Sequence, residues 1–269
     1  MELASPLHCG WRTAGNLKQT RPYVPGSVFW GALARRLALD RFQANYQEAE
    51  DCVNANVRFT YFFPTLDRRS VTHWPWDRQA SQFDWLYLNS YVSTALLDGR
   101  SNDDGLLHET EYIVPRARHN SGKSGEQTFL LGYLWLAEGF DLDCQTINRL
   151  QLGGERGYGW GRVRAAQLDP LLDGEPVFES WIARADPAGI SLQTSSQACL
   201  PAHVVGATDD QLNRFTLPRV EPRLGRRIKR GTGEYGLSQA ITAWAPGAKL
   251  APGSWKFSLG QEGLWSFCG

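Results

Sequence analysis

Apolar positions in this chain fall in short blocks, most spaced for strands and one for a long helix, with Gly or Pro at the breaks. Residues 1–8 read as the end of a strand, followed over 9–23 by a polar, glycine-containing loop. Pro25-Gly26-Ser27 stops the extended chain and opens a helix, with Ser27 placed to accept a hydrogen bond from an early helical amide. Across 28–42 the residues Val28, Ala32, Leu33, Leu37 and Phe42 share a face at helical spacing, and Arg35 and Arg36 leave it. Gly31 inside that helix costs stability relative to alanine, which points to close packing against its turn. Residues 57–63 are β-branched and aromatic and end at Pro64, the signature of a strand.

The stretch 67–111, rich in Trp and acid, reads as an insertion with a short helix over 83–97. Strands are predicted at 110–115 and, strongly apolar and central, at 128–136. A short helix follows at 146–151, stopped by Gly153-Gly154, and 162–168 closes this half as an alternating strand. Strand, helix, strand, strand, helix, strand is the ferredoxin-like or RRM-like layout. Beyond Pro170 the pattern is mainly β, with strands at 177–184, 190–197, 239–244 and Trp255–Leu259 and a basic loop over 216–236. A second, reduced ferredoxin-like unit fits there. The predicted fold class is therefore α+β in two domains, 1–169 and 170–269, the second packed on the first.

At 269 residues and 42% hydrophobic content there is material for a well-buried core. The longest apolar run, 129–137, is broken by Gly132 and too short to cross a bilayer. Met1-Glu2-Leu3-Ala4-Ser5 lacks a basic-then-apolar leader pattern, so a soluble cytoplasmic protein with no membrane partner is expected. The five cysteines are scattered without a Cys-x-x-Cys pair, which disfavours both a zinc knuckle and a disulfide framework. Reduced, mostly buried thiols are expected instead.

A net charge of +0 argues against gripping nucleic acid with the whole surface. The charges are nonetheless segregated. Arg214, Arg219, Arg223, Arg226, Arg227, Lys229 and Arg230 meet only Glu221 within 214–230, and 98–111 sets Asp98, Asp103, Asp104, Glu109 and Glu111 against Arg100. Such an arrangement suits one face on RNA and another on protein neighbours.

Two glycine-built motifs carry the functional reading. In Pro22-Tyr23-Val24-Pro25-Gly26-Ser27-Val28-Phe29-Trp30-Gly31, a Gly-Ser turn feeds a helix whose first amides and positive dipole end suit a phosphate. Ser27 and the amides of Val28 and Phe29 are the expected contacts. In Leu152-Gly153-Gly154-Glu155-Arg156-Gly157-Tyr158-Gly159-Trp160-Gly161-Arg162, five glycines make a loop whose amides, Gly154 among them, are expected to cradle an anion. Tyr158 and Trp160 are placed to stack on bases and Arg156 and Arg162 to meet phosphates. A strand rather than a helix follows this loop, so it is no dinucleotide fingerprint, and it lacks the Gly-Lys-Ser/Thr ending of a P-loop.

In this order the two motifs resemble the RAMP superfamily of CRISPR-associated proteins. Pro25-Gly26-Ser27 stands for the shared helix start and residues 153–161 for the late Gly-rich loop before the last strand. Ser5-Pro6-Leu7-His8-Cys9-Gly10, Arg58-Phe59-Thr60-Tyr61-Phe62-Phe63-Pro64 and the 119–125 loop add to the likeness, which covers residues 1–168 and is looser after Leu200. The resemblance implies an α+β RAMP fold and a subunit that holds guide RNA. Target-cutting members carry an Asp in the loop where this chain has residues 11–21, and no Asp or Glu stands there. Gly15-Asn16, Thr20, Tyr23 and the Arg58–Pro64 segment look most like the subunits that cap the 5′ handle in type III-D-like class 1 complexes. A non-catalytic role without cofactor or metal is thus implied.

Implied partners are the crRNA 5′ handle, other RAMP backbone subunits and a large or nuclease subunit, with target nucleic acid met indirectly. Beside Ser27 and the Gly-rich loop, Arg12, Lys18, Arg21 and Arg35 are candidate backbone contacts, and Arg116, Arg118, His119 and Lys123 a loop reaching across the RNA. Arg226 and Arg227 fit the handle or a neighbouring subunit. Three alternatives stand beside this: a guide-lining backbone subunit without the Asp, a precursor-processing ribonuclease using His119 or His8 as base, and a scaffold whose tryptophans, such as Trp74, Trp76 and Trp85, fill a core or interface.

Overall fold

The computed structural model describes residues 1–78, 80–94, 96–97, 101–102, 107–118, 125–166, 169–172, 174–187, 189–223, 226–228, 235–237 and 240–268, with 96–97, 101–102, 226–228 and 235–237 described by backbone alone. The chain opens with β1 (Glu2–Leu3), a hairpin of β2 (Gly10–Ala14) and β3 (Leu17–Thr20), then α1 (Gly26–Arg41) and α2 (Tyr46–Asn56). It continues with β4 (Val57–Phe59), β5 (Phe63–Thr65), α3 (Ala80–Tyr87), β6 (Leu88–Ser93), β7 (Leu96–Leu97) and β8 (Ser101–Asn102). Next come β9 (His108–Ile113), β10 (Phe129–Leu131), β11 (Leu134–Leu136), α4 (Cys144–Asn148) and β12 (Val163–Arg164). The remainder holds β13 (Pro176–Val177), β14 (Trp181–Asp186), β15 (Gly189–Thr194), β16 (Val204–Val205), β17 (Phe215–Leu217) and β18 (Val220–Arg223). It ends with β19 (Arg226–Ile228), β20 (Tyr235–Leu237), β21 (Ile241–Trp244), β22 (Lys249–Leu250), β23 (Trp255–Leu259) and β24 (Trp265–Phe267).

By packing, Met1–Ala32, Phe62–Leu131 and Leu142–Leu168 form one compact unit, and Leu33–Tyr61, Gly132–Asp141 and Asp169–Gly269 the other. This division is more interleaved than a single cut at residue 169, because two internal segments pack with the C-terminal part.

In the first unit, β12, β1, β10 and β5 lie side by side in that order, every pair antiparallel. With α1 after β1 and α4 between β10 and β12, this is a βαββαβ unit whose first and third strands are central. Leu3, Leu7, Phe29, Phe63, Leu130, Ile147 and Val163 are buried at its core, where Phe29 meets Phe62 at 4.7 Å between ring centroids. Trp74 and Trp76 stack on each other at 5.1 Å and pack on Phe63, so the Trp-rich stretch supplies core here. A second sheet has the order β2, β3, β9, β6, with β3 and β9 parallel and the other pairs antiparallel.

Several expectations are corrected. Residues 9–23 are not a loop but carry the hairpin, which turns at Gly15 with φ of 59°. Every position of β2 is exposed, so no burial period marks it as a strand. The helix expected at 83–97 ends at Tyr87 and runs directly into β6. The single strands expected at 57–63 and 128–136 are each broken, at residues 60–62 and 132–133. Their halves serve different units: β5 pairs β10 in the first, β4 pairs β11 in the second. Both halves are largely apolar, so the hydrophobic run hides the break. No close packing meets Gly31, where an added Cβ would find nothing within 4 Å. Helix α2 was not anticipated, although Asn45 caps it by accepting the Glu48 amide.

In the second unit, β13, β14, β15, β23, β24, β16, β21 and β18 form one sheet over a core containing Trp181, Trp244, Phe257 and Trp265. Residues 216–236, expected as a basic loop, contain β18 at the edge of this sheet and the pair β19 and β20. His203 is wholly buried: Tyr61 Oη lies 2.7 Å from its Nδ1, and Nε2 meets the Glu221 carboxylate. Of the five cysteines only Cys9 is buried, against the expectation of mostly buried thiols. Burial pushes the Cys9 thiol up to about 12.

Candidate nucleic-acid interface

The hairpin and the Gly-rich loop form one surface of the first unit. Lys18 on β3 approaches Glu155 at 3.8 Å, and Trp160 packs edge-on against Tyr112 of β9 at 5.0 Å. The glycines explain how the loop comes so close. Gly153 and Gly161 have φ of 70° and 78°, and an added Cβ would stand 2.2 Å from the His8 carbonyl oxygen or 1.8 Å from that of Leu152. Gln151 braces the loop from inside, its side-chain amide donating to the Arg156 and Trp160 carbonyls at 2.8 and 2.9 Å.

The expected backbone cradle loses some of its donors, Gly154 among them, to hydrogen bonds within the protein. The amides of Gly154 and Gly161 donate to His8 and Pro6 carbonyls, those of Tyr158 and Gly159 to carbonyls within the loop, and that of Arg162 to Ser5 Oγ. These five amides are engaged within the protein, and beside them the loop presents side chains. Arg156 and Arg162 are exposed, Tyr158 is 83% exposed, and Trp160 is half-buried.

On the hairpin, the Arg12 guanidinium lies over the exposed Trp11 ring at 4.2 Å and its Nε donates to Gln19 Oε1. Arg21 stands 6.0 Å from the same ring and donates to Tyr23 Oη at 3.0 Å. Arg116 is exposed and donates to the Gly125 carbonyl, and Arg118 lies over Trp85 at 4.8 Å and donates to Asn89 Oδ1 at 2.7 Å. At the helix start, Val28 and Phe29 donate to the Pro25 carbonyl at 3.0 and 3.4 Å, so their amides do not await a phosphate as expected. Ser27 lies inside the first turn of α1 and is not its cap, because the helix already begins at Gly26. Arg35 is exposed on α1, in the part that packs with the second unit. His119 and Lys123 lie outside the described residues. Arg226 and Arg227 are placed only by the backbone of β19, opposite Leu237 and Gly236.

His8 is buried, and its Nδ1 donates to the Glu111 carbonyl at 2.7 Å. Its ring fits between two glycines: an added Cβ would come 3.5 Å from Nε2 at Gly10 and 3.3 Å from Cδ2 at Gly154. Beside it, burial raises the Glu111 carboxyl above its ordinary range, opposed by the bond its Oε2 accepts from the Thr20 amide at 2.9 Å. Burial likewise raises Asp84. Among the described residues no group of three or more metal-ligating side chains converges.

The sequence reading did not single out Tyr91 and Tyr112, which share this surface with Trp160. Tyr91 meets Trp160 at 6.4 Å and is 57% exposed. Tyr91 lies on β6, whose residues alternate neither in polarity nor in burial, and reading 83–97 as helix hides that strand.

No protein-family model and no curated protein matches the chain. Among solved structures, it resembles a chain of the type III-B Cmr-beta complex bound to cognate target RNA and AMPPnP, with a TM-score of 0.50 at 11% identity over 93% of this chain and 84% of that one. A second structure, of type III-B Cmr-beta bound to cognate target RNA, gives a TM-score of 0.42 at 13% identity over 93% and 84% of the two chains. A CRISPR RNA-guided surveillance complex gives 0.33 at 12% identity over 93% and 89%. The first of these likenesses is one of fold. Together with the sheet order of the first unit, it identifies the architecture as an α+β, RAMP-like fold shared with a chain of a type III-B Cmr-beta complex over nearly the whole length.

Proposed function

We propose that this chain is a non-catalytic crRNA-binding subunit of a class 1, type III-like CRISPR effector complex, and that it caps the 5′ handle of the guide. The observation that carries the reading is the union of the hairpin and the Gly-rich loop in one surface, tied by Lys18 to Glu155 and by Trp160 to Tyr112. That surface interleaves cations with aromatic rings, the mixture that holds single-stranded RNA by phosphate and base. The fold likeness to a chain of a type III-B complex supports the same assignment. Two features favour holding over cutting. Residues 11–21 contain no Asp or Glu, and His8 is only 7% exposed, where a general base must reach its substrate's proton.

Filter binding tests the reading. A guide-like RNA carrying its 5′ handle is expected to bind the full chain more tightly than the same RNA without it, more weakly at higher salt, and to be recovered uncut. Equal binding of the two RNAs, or cleavage that His119→Ala abolishes, overturns it.

A further inference from the structure

The β2–β3–β9–β6 sheet has one face whose residues follow from its register. Asn89 pairs with Tyr112, and both Tyr91 and Lys18 pair with Thr110, so these side chains project to the same side. Tyr91 and Tyr112 are diagonal neighbours there, roughly 7–8 Å apart by strand geometry. Trp160 stands edge-on to both, with interplanar angles of 74° and 61°. A ring contact of this kind holds a side chain in place. Tyr91 is accordingly held in place yet more than half exposed.

We infer that this face is a stacking platform for unpaired RNA bases, with Tyr91 and Tyr112 meeting successive bases and Lys18 and Arg118 at the phosphates. The inference rests on the proposed function and names the part of the RNA that this surface takes. Rings already ordered by Trp160 lose little freedom on stacking. A tyrosine face accepts any base, but only one freed from a duplex, since an A-form helix hides its base faces inside the stack. Charge complementarity points the same way. Arg118 has donors to spare beyond its bond to Asn89, and the Lys18–Glu155 pair, 3.8 Å apart and partly solvated, is weak enough to yield to a phosphate.

Fluorescence titration of the full chain with a single-stranded RNA octamer containing one 2-aminopurine tests this. Wild type is expected to bind the octamer and quench the probe by stacking, and to quench nothing when the same octamer is paired to its complement. Tyr91→Ala is expected to lose roughly tenfold in affinity together with the quenching, and Tyr91→Phe, which keeps the ring, to retain both. Tyr91 is exposed, so equal thermal unfolding midpoints verify the fold of each variant. If wild type binds but no quenching occurs and Tyr91→Ala binds equally well, the platform is overturned and the proposed function stands. A platform that served a protein neighbour instead would give that same result. If wild type does not bind single-stranded RNA at all, both fall.

Discussion

At the scale of single residues, the Gly-rich loop divides its glycines into two kinds. Gly161 has a left-handed backbone and stands so close to Leu152 that an added Cβ would overlap the Leu152 carbonyl. Gly157, four residues earlier, has nothing within 4 Å of the same position. Gly161→Ala is therefore expected to lower unfolding free energy by about 2–4 kcal/mol, from backbone strain and the forced separation of two chain segments. Gly157→Ala is expected to cost under about 1 kcal/mol. Urea denaturation of the two variants checks this, and equal losses would contradict the geometry. The sequence marks both glycines alike, because nothing in it tells which backbone lies across from each. For the same reason the sequence does not tell which loop amides are engaged, and those of Gly154, Tyr158, Gly159 and Gly161 donate to carbonyls of the protein.

At the scale of elements, what was legible is what local chemistry records. Helix α1 announces itself through Pro25-Gly26 and its apolar face, and the order of strands and helices in the first unit follows from alternation and turn residues. The hairpin was invisible because it buries almost nothing, and the breaks at 60–62 and 132–133 because long-range pairing, not local pattern, sets them. A side chain adds to the backbone pairing of β3 with β9: Glu111 of β9 accepts the amide of Thr20 at the end of β3. Its carboxyl titrates above the usual 4.5, chiefly through burial. In the window between 4.5 and that raised value the folded chain holds a proton that the unfolded chain has released, so this group's contribution to stability falls as pH rises through it. Glu111→Gln keeps an acceptor for Thr20 and removes the titration. The stability of the variant relative to wild type is expected to rise as pH increases from 4.5 through that window, read from unfolding midpoints at several pH values. A difference that does not change with pH would exclude the effect.

At the scale of the whole molecule, zero net charge constrains how the proposed RNA would be held. A net charge of zero leaves no overall monopole to draw in a polyanion, and at physiological salt charges more than about 8 Å apart barely feel one another. Affinity then comes from the few cations that touch phosphate, and each counts for more than it would on a uniformly basic surface. Arg156 and Arg162 are exposed at the loop and have no carboxylate partner shown within ion-pair distance among the described residues, whereas Lys18 is shared with Glu155. Each phosphate neutralised on a single strand contributes about 0.7 to the slope of log K against log salt. Replacing both arginines by alanine is therefore expected to flatten that slope by about 1.4 units and to weaken binding most at low salt. At high salt, where counterion release counts for less, the variant and wild type should converge toward the affinity that the proposed stacking on Tyr91 and Tyr112 would supply, since base stacking is not screened. An unchanged slope, with the affinity lowered equally at all salt concentrations, would mean that the arginines shape the loop without meeting the backbone of the RNA.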